Sequence, residues 1–160
     1  MTIKQKRSLF FHALAAAIVY AGLLSGVFGM LAVKQSALLD TKLFIPGDTF
    51  YSLVAIQAES KLWYFLFHRL DALFILLFYS LLVRFSYLAK HAGRLLWCVA
   101  LGAGISDILE NWLIDFLVLY YPKRSPVLAF IAQGATGIKF FLLLIWAVLF
   151  LSQYLSKKEK

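Results

Sequence analysis

The chain of 160 residues contains one cysteine, three prolines and eight acidic residues. A lone Cys98 excludes an internal disulfide and fits a small buried apolar residue. The three histidines are scattered, and no His-x-x-x-His pair or Cys/His cluster appears, so no metal and no cofactor is expected. Gly-rich phosphate loops, nucleophile elbows and a Ser-His-Asp order are likewise missing. No basic stripe with interleaved aromatics occurs outside the apolar runs, which sets nucleic acid aside despite a net charge of +8.

The chain is instead rich in long hydrophobic runs. Hydrophobic residues make up 62% of it, well above the roughly half expected of a soluble domain. Four runs approach the roughly 20 residues that cross a bilayer. They predict helices over about 9–33, 62–88, 94–121 and 126–154. The first run, from Leu9 to Val33, exceeds the roughly 7–15 residues of a signal-peptide core, so it is read as an uncleaved helix. The expected fold is therefore all-α: an integral membrane four-helix bundle forming a single domain over 1–160. Helix 1 is almost purely apolar and is expected to be a packing element.

The long first connection holds Pro46-Gly47-Asp48, a turn after which Asp48 or Thr49 can cap a helix. Over about 49–60, Phe50, Leu53, Val54 and Ile56 segregate from Ser52, Gln57 and Glu59, predicting a short amphipathic helix in the first outer loop. It would lie on the outer membrane face or over the bundle.

Lys and Arg set the orientation. Lys4, Lys6, Arg7, Arg84, Lys90, Arg94, Lys157, Lys158 and Lys160 fall on one side. Lys34, Lys42, Lys61, Lys123 and Arg124 fall on the other. This bias places both termini in the cytoplasm, with a bacterial inner (plasma) membrane as the expected location. Trp63 with Tyr64, and Tyr120 with Tyr121, would form an outer aromatic belt. Gly22 with Gly26, Gly102 with Ser106, and Ala132 with Thr136 are small-residue pairs that let membrane helices approach closely.

Charges intrude into these runs. Beyond Asp71 the chain has about 12 residues before Arg84, or roughly 18 Å of helix, too short for a core of about 30 Å. The turn from His68 to Asp71 must therefore enter the membrane. Asp107, Glu110, Asn111 and Asp115 fall inside the third run, on an arc of about 140°. Gln133 and Lys139 fall inside the fourth. Counting inward from the outer ends puts Asp107 and Lys139 both about 20 Å deep, and Asp71, Asp115 and Gln133 about 10 Å deep. Two layers are expected: an Asp107–Lys139 pair near the centre, and Arg69, Asp71, Asp115 and Gln133 nearer the outside. Glu110, deep and without an assigned basic partner, is the first candidate to hold a proton. His68 is read as a belt residue, and His12 and His91 as boundary residues without chemistry.

Lys61, Tyr64, Asp71 and Tyr79 around helix 2, the Asp107-Ile-Leu-Glu110-Asn111 element and Lys139 resemble a group of small, mostly bacterial, uncharacterised four-helix membrane proteins. The resemblance covers about 50–155 and implies membership without a mechanism. The layout is also similar to the sterol-isomerase and sigma-2-receptor-like family, none of whose motif stands at matching positions.

Intramembrane charges are costly, at least about 2.5–3.5 kcal/mol each at the bilayer centre, and commonly functional. The sequence therefore implies a protein that binds a lipid-like or amphipathic small molecule. Arg69, Asp71, Asp107, Glu110, Asn111, Asp115, Gln133 and Lys139 would line the pocket, and Arg69 and Lys139 would engage an anionic or carbonyl head. Two alternatives stand beside this. One is an intramembrane enzyme using Glu110 or Asp107 as general acid/base. The other is a structural subunit whose charges only pair with each other. Membrane lipids are the expected partners, and transport would require a homo-oligomer or a larger membrane complex.

Overall fold

A computed structural model describes residues 3–30, 42, 44–88 and 93–156. Among these there are five helices and no strand: α1 (Ile3–Met30), α2 (Gly47–Glu59), α3 (Lys61–Leu88), α4 (Gly93–Tyr120) and α5 (Pro126–Ser156). Each expected helix has a counterpart. α1 begins earlier than expected, at Ile3, so Lys4 and Arg7 belong to the helix. Lys34, Lys90, His91 and the basic residues from Lys157 onward lie outside the described residues, as does the 31–33 end of the expected first helix.

Among the described residues, two helices are long and apolar enough to cross a membrane, α3 over Tyr64–Tyr87 and α5 over Pro126–Gln153. α4 has the length but carries Asp107, Glu110 and Asp115 within it. Among the described residues the main helix contacts run α1 to α3, α3 to α4 and α4 to α5. The long helices thus stand in an open row with α4 between α3 and α5, and α2 lies across α4 with edges on α3 and α5.

Two apolar clusters bracket the interior. One joins Phe50, Tyr51 and Val54 of α2 to Tyr64, Ile114, Leu117, Val118, Ala129 and Ala132. The other joins Ile75, Tyr79 and Leu82 of α3 to Ala100 and Ala103, with Leu142, Leu143 and Trp146 packed against them. The outside is equally apolar: Leu76, Ile105, Trp112, Phe130, Phe141 and Leu144 each expose more than 60% of their surface. Buried polar groups with an apolar exterior invert the usual arrangement of a soluble protein.

Four local expectations need correction. Cys98 is exposed, not buried. The N-cap of α2 is Pro46, not Asp48 or Thr49, and it offers no side-chain cap. α2 buries Phe50, Tyr51, Val54 and Gln57, while Ile56 is exposed. The 3.6-residue stripe that meets α4 runs through Gln57 rather than Ile56, because Phe50, Val54 and Gln57 share one face. Tyr64 is buried beside His68 and is no belt residue; Tyr120 and Tyr121 are exposed.

Close approach between helices comes from small residues on α4. Ser106 donates to the Ala135 carbonyl at 3.0 Å. A Cβ on Gly104 would lie 3.0–3.3 Å from Tyr79, a contact the sequence pairs did not single out. At Gly22, by contrast, a Cβ would meet nothing within 4 Å. α1 is held to α3 by polar contacts: the Arg84 guanidinium donates to Ser8 and to His12 Nδ1, both at 3.2 Å. That leaves His12 Nε2–H to donate to the Leu77 carbonyl at 3.0 Å. His12 is thus an inter-helix clamp. Gly104→Ala should push the Tyr79 ring off α4 and cost about 1–3 kcal/mol, the usual penalty of overpacking. Thermal unfolding in detergent reads this, with Gly22→Ala as the near-neutral control.

Candidate functional site

α4 presents its polar face to two neighbours at once. Antiparallel packing sets its residues Asp107, Asn111 and Asp115 against Tyr79, Asp71 and His68 of α3 in turn, while Asp107 and Glu110 meet Lys139 and Thr136 of α5. The short connections between α3, α4 and α5 force this register.

At the deeper level Lys139 Nζ lies 2.9 Å from Asp107 Oδ1 and 2.6 Å from Glu110 Oε2. Asp107 also accepts from the Tyr79 hydroxyl at 3.0 Å, and Glu110 from the Thr136 hydroxyl at 2.5 Å. Glu110 is completely buried. The expected Asp107–Lys139 pair is present, but Glu110 shares it, so its assignment as a carboxyl group without a basic partner is corrected. One helical turn separates Asp107 from Glu110, and a single ammonium reaches both.

Toward α2, Asn111 Nδ2 donates to Asp71 at 2.7 Å. His68 Nδ1 is 2.6 Å from Asp115 Oδ1, and Arg69 Nη2 is 3.7 Å from Asp115 Oδ2. The His68 ring is buried, whereas the Arg69 side chain is 70% exposed. His68 therefore belongs to the site and Arg69 only touches its edge. The signal for His68 was present in the sequence: His68 and Asp71 share one face of α3 at i, i+3, opposite the i, i+4 pair Asn111 and Asp115 of α4.

Gln133 falls elsewhere. It lines an open cleft of about 560 Å³ where α2 and α5 begin, with Phe44, Tyr51 and Arg124. Six residues along α5 from Lys139, it points about 120° away from the lysine around the helix. Two further site residues, Tyr79 and Thr136, were not among the expected pocket residues, because a tyrosine and a small β-branched residue in an apolar run read as packing.

Among the described residues, no group of three or more His, Cys, Asp or Glu side chains is placed to hold a metal. On the α3–α4 seam, two buried atoms lack a hydrogen-bond partner among the described residues: His68 Nε2 and Asn111 Oδ1. Both belong to the Asp71–Asn111 and His68–Asp115 pairs, one turn apart on the α3–α4 seam.

No protein-family model, curated protein or solved structure matches this chain. The assignment of function therefore rests on these contacts.

Lys139→Met should leave Asp107 and Glu110 buried without their shared cation and cost about 3–5 kcal/mol. Adding Glu110→Gln should recover part of that loss. A double-mutant cycle on chemical or thermal unfolding measures the coupling; strict additivity would mean the two do not interact in solution.

Proposed function

We propose that the chain is an integral membrane protein whose four long helices cross the bilayer with both termini cytoplasmic. Its polar interior, between α3 and α4, binds the head of a lipid-like amphiphile. The membrane half of this reading is supported by the apolar spans of α3 and α5 and by the apolar outer faces. It also gives α4 a role: its charges face protein while Ile105, Trp112 and Phe116 face lipid.

The binding half is carried by one observation, the unpartnered edges of His68 and Asn111. Networks that serve only to hold helices together are expected to satisfy their own members, because an orphaned buried polar atom costs about 1–3 kcal/mol. The Asp115 carboxylate accepts from His68 Nδ1–H, so Nε2 of the neutral imidazole offers a lone pair, and Asn111 Oδ1 is an acceptor too. Two waiting acceptors favour a head that donates hydrogen bonds, such as a hydroxyl or amine. The anionic or carbonyl head expected from the sequence fits less well, since two carboxylates already hold Lys139.

A second reading, catalysis, is favoured by the same histidine. Asp107 and Glu110 are engaged by Lys139, whereas an imidazole oriented by a carboxylate with its other nitrogen open is the arrangement of a general base. His68 with Asp115 is the better acid/base pair for an intramembrane enzyme.

Mass spectrometry of lipids that co-purify in mild detergent tests the binding reading. Wild type should retain a specific hydroxyl- or amine-bearing lipid, and His68→Phe and Asn111→Leu should lose it while keeping their helicity and melting temperature. If no lipid is retained and both variants melt well below wild type, the network is structural. Turnover of the retained lipid by wild type and not by His68→Phe would establish catalysis.

A further inference from the structure

The cleft that contains Gln133 lies apart from the buried network and has its own chemistry. Two helices begin on it. Gly47 and Asp48 of the first turn of α2 line it, as does Pro126 at the first position of α5. Helix N-termini carry partial positive charge and project unpaired N–H groups. Those of α2 receive no side-chain cap. Arg124 also lines the cleft, its guanidinium 5.1 Å above the Tyr51 ring. Tyr51 is itself 95% buried, and its hydroxyl has no hydrogen-bond partner among the described residues.

Among the described residues lining the cleft, only Asp48 opposes an anion. Its side chain is fully exposed and 3.5 Å from Arg124, which is 60% exposed. A surface pair of this kind is worth little and yields readily to a better anion. The walls are apolar: Phe44, Ile45, Ala129 and Phe130. Phe44 holds a left-handed backbone, φ 48°, with its ring end against Gly137 of α5. A bulky residue pays for that conformation, and Phe44 remains 72% exposed. Phe130 and Val127, exposed by 74% and 67%, continue the apolar surface along α5 from the mouth of the cleft.

We propose that this cleft binds the phosphate of a phospholipid, with the acyl chains lying along the exposed face of α5. Two helix N-termini and a guanidinium suit a phosphate oxyanion, and the Tyr51 hydroxyl and the Gln133 amide add donors to it. The start of an apolar span is also the depth at which headgroup phosphates sit. This assignment rests on the membrane reading above but not on the ligand of the buried site.

The test titrates purified protein in a neutral sugar detergent with dioctanoyl phosphatidic acid, dioctanoylglycerol and inorganic phosphate, with binding read by native mass spectrometry and calorimetry. Phosphatidic acid should bind about ten-fold or more tightly than either of the others, and Arg124→Gln should weaken it by about ten-fold. Tyr51→Phe should weaken it several-fold while His68→Phe leaves it unchanged. Equal binding of inorganic phosphate overturns the lipid assignment, and equal binding of dioctanoylglycerol to His68→Phe, whose interior site is disabled, overturns the phosphate. Loss of binding in His68→Phe moves the site to the interior, and no binding by wild type removes it. Because His68→Phe separates the two sites, failure here leaves the interior reading to its own test.

Discussion

One ammonium group organises the interior. Lys139 reaches from α5 to two successive turns of α4 and bridges Asp107 and Glu110. Asp107 then turns its other oxygen to Tyr79 of α3, so three helices meet through a single carboxylate. In a bilayer, apolar contacts between helices gain little, because lipid tails are as apolar as leucine. Association has to come from close backbone approach and from polar contacts that lipid cannot offer. α4 supplies both, through Ala100, Ala103, Gly104 and Ser106 for proximity and Asp107 to Asp115 for polar contact. Its dependence on neighbours fits its place between α3 and α5 and the three acidic residues within it.

A graded interior follows. Beneath α2, His68 and Asn111 keep open hydrogen-bonding edges, while the Lys139 level is tightly paired. Under the binding proposal, the paired level holds the helices in register while the open level exchanges a guest. The outer end adds a different chemistry, with two helix starts and Arg124 around an apolar-walled cleft. Under the membrane reading the protein thus meets lipid at two depths, by acceptors inside and by donors at the surface.

Depth along the helices was legible in the sequence, because the rise per residue is fixed and the short connections between α3, α4 and α5 set the register. Counting alone brought Asp107 opposite Lys139. Azimuth was less legible. Gln133 was assigned to the interior from its depth, and its place on the side of α5 that faces Phe44 and Arg124 depends on which face meets α4. His68 was read as a belt residue because an aromatic-rich entrance suggests an interface; the Asp115 carboxylate that draws it inward lies 47 positions away in the chain. The α2 stripe failed by one position, since Ile56 and Gln57 are adjacent and only packing against α4 decides between them. The open row of long helices left no trace in composition, because outward-facing and helix-facing apolar residues have the same chemistry.

The claim on which the rest depends is that the polar face of α4 lies within the bilayer with its opposite face in lipid. Nitroxide labels placed one at a time at Ile105, Trp112, Ile138 and Leu144 in a Cys98→Ser background, all four exposed on the outer surface, measure this in reconstituted bilayers. The account predicts strong relaxation by dissolved oxygen and little by a water-soluble nickel chelate, with the greatest contrast at Ile105 and Ile138. Dominant relaxation by the nickel chelate at those two positions would contradict it.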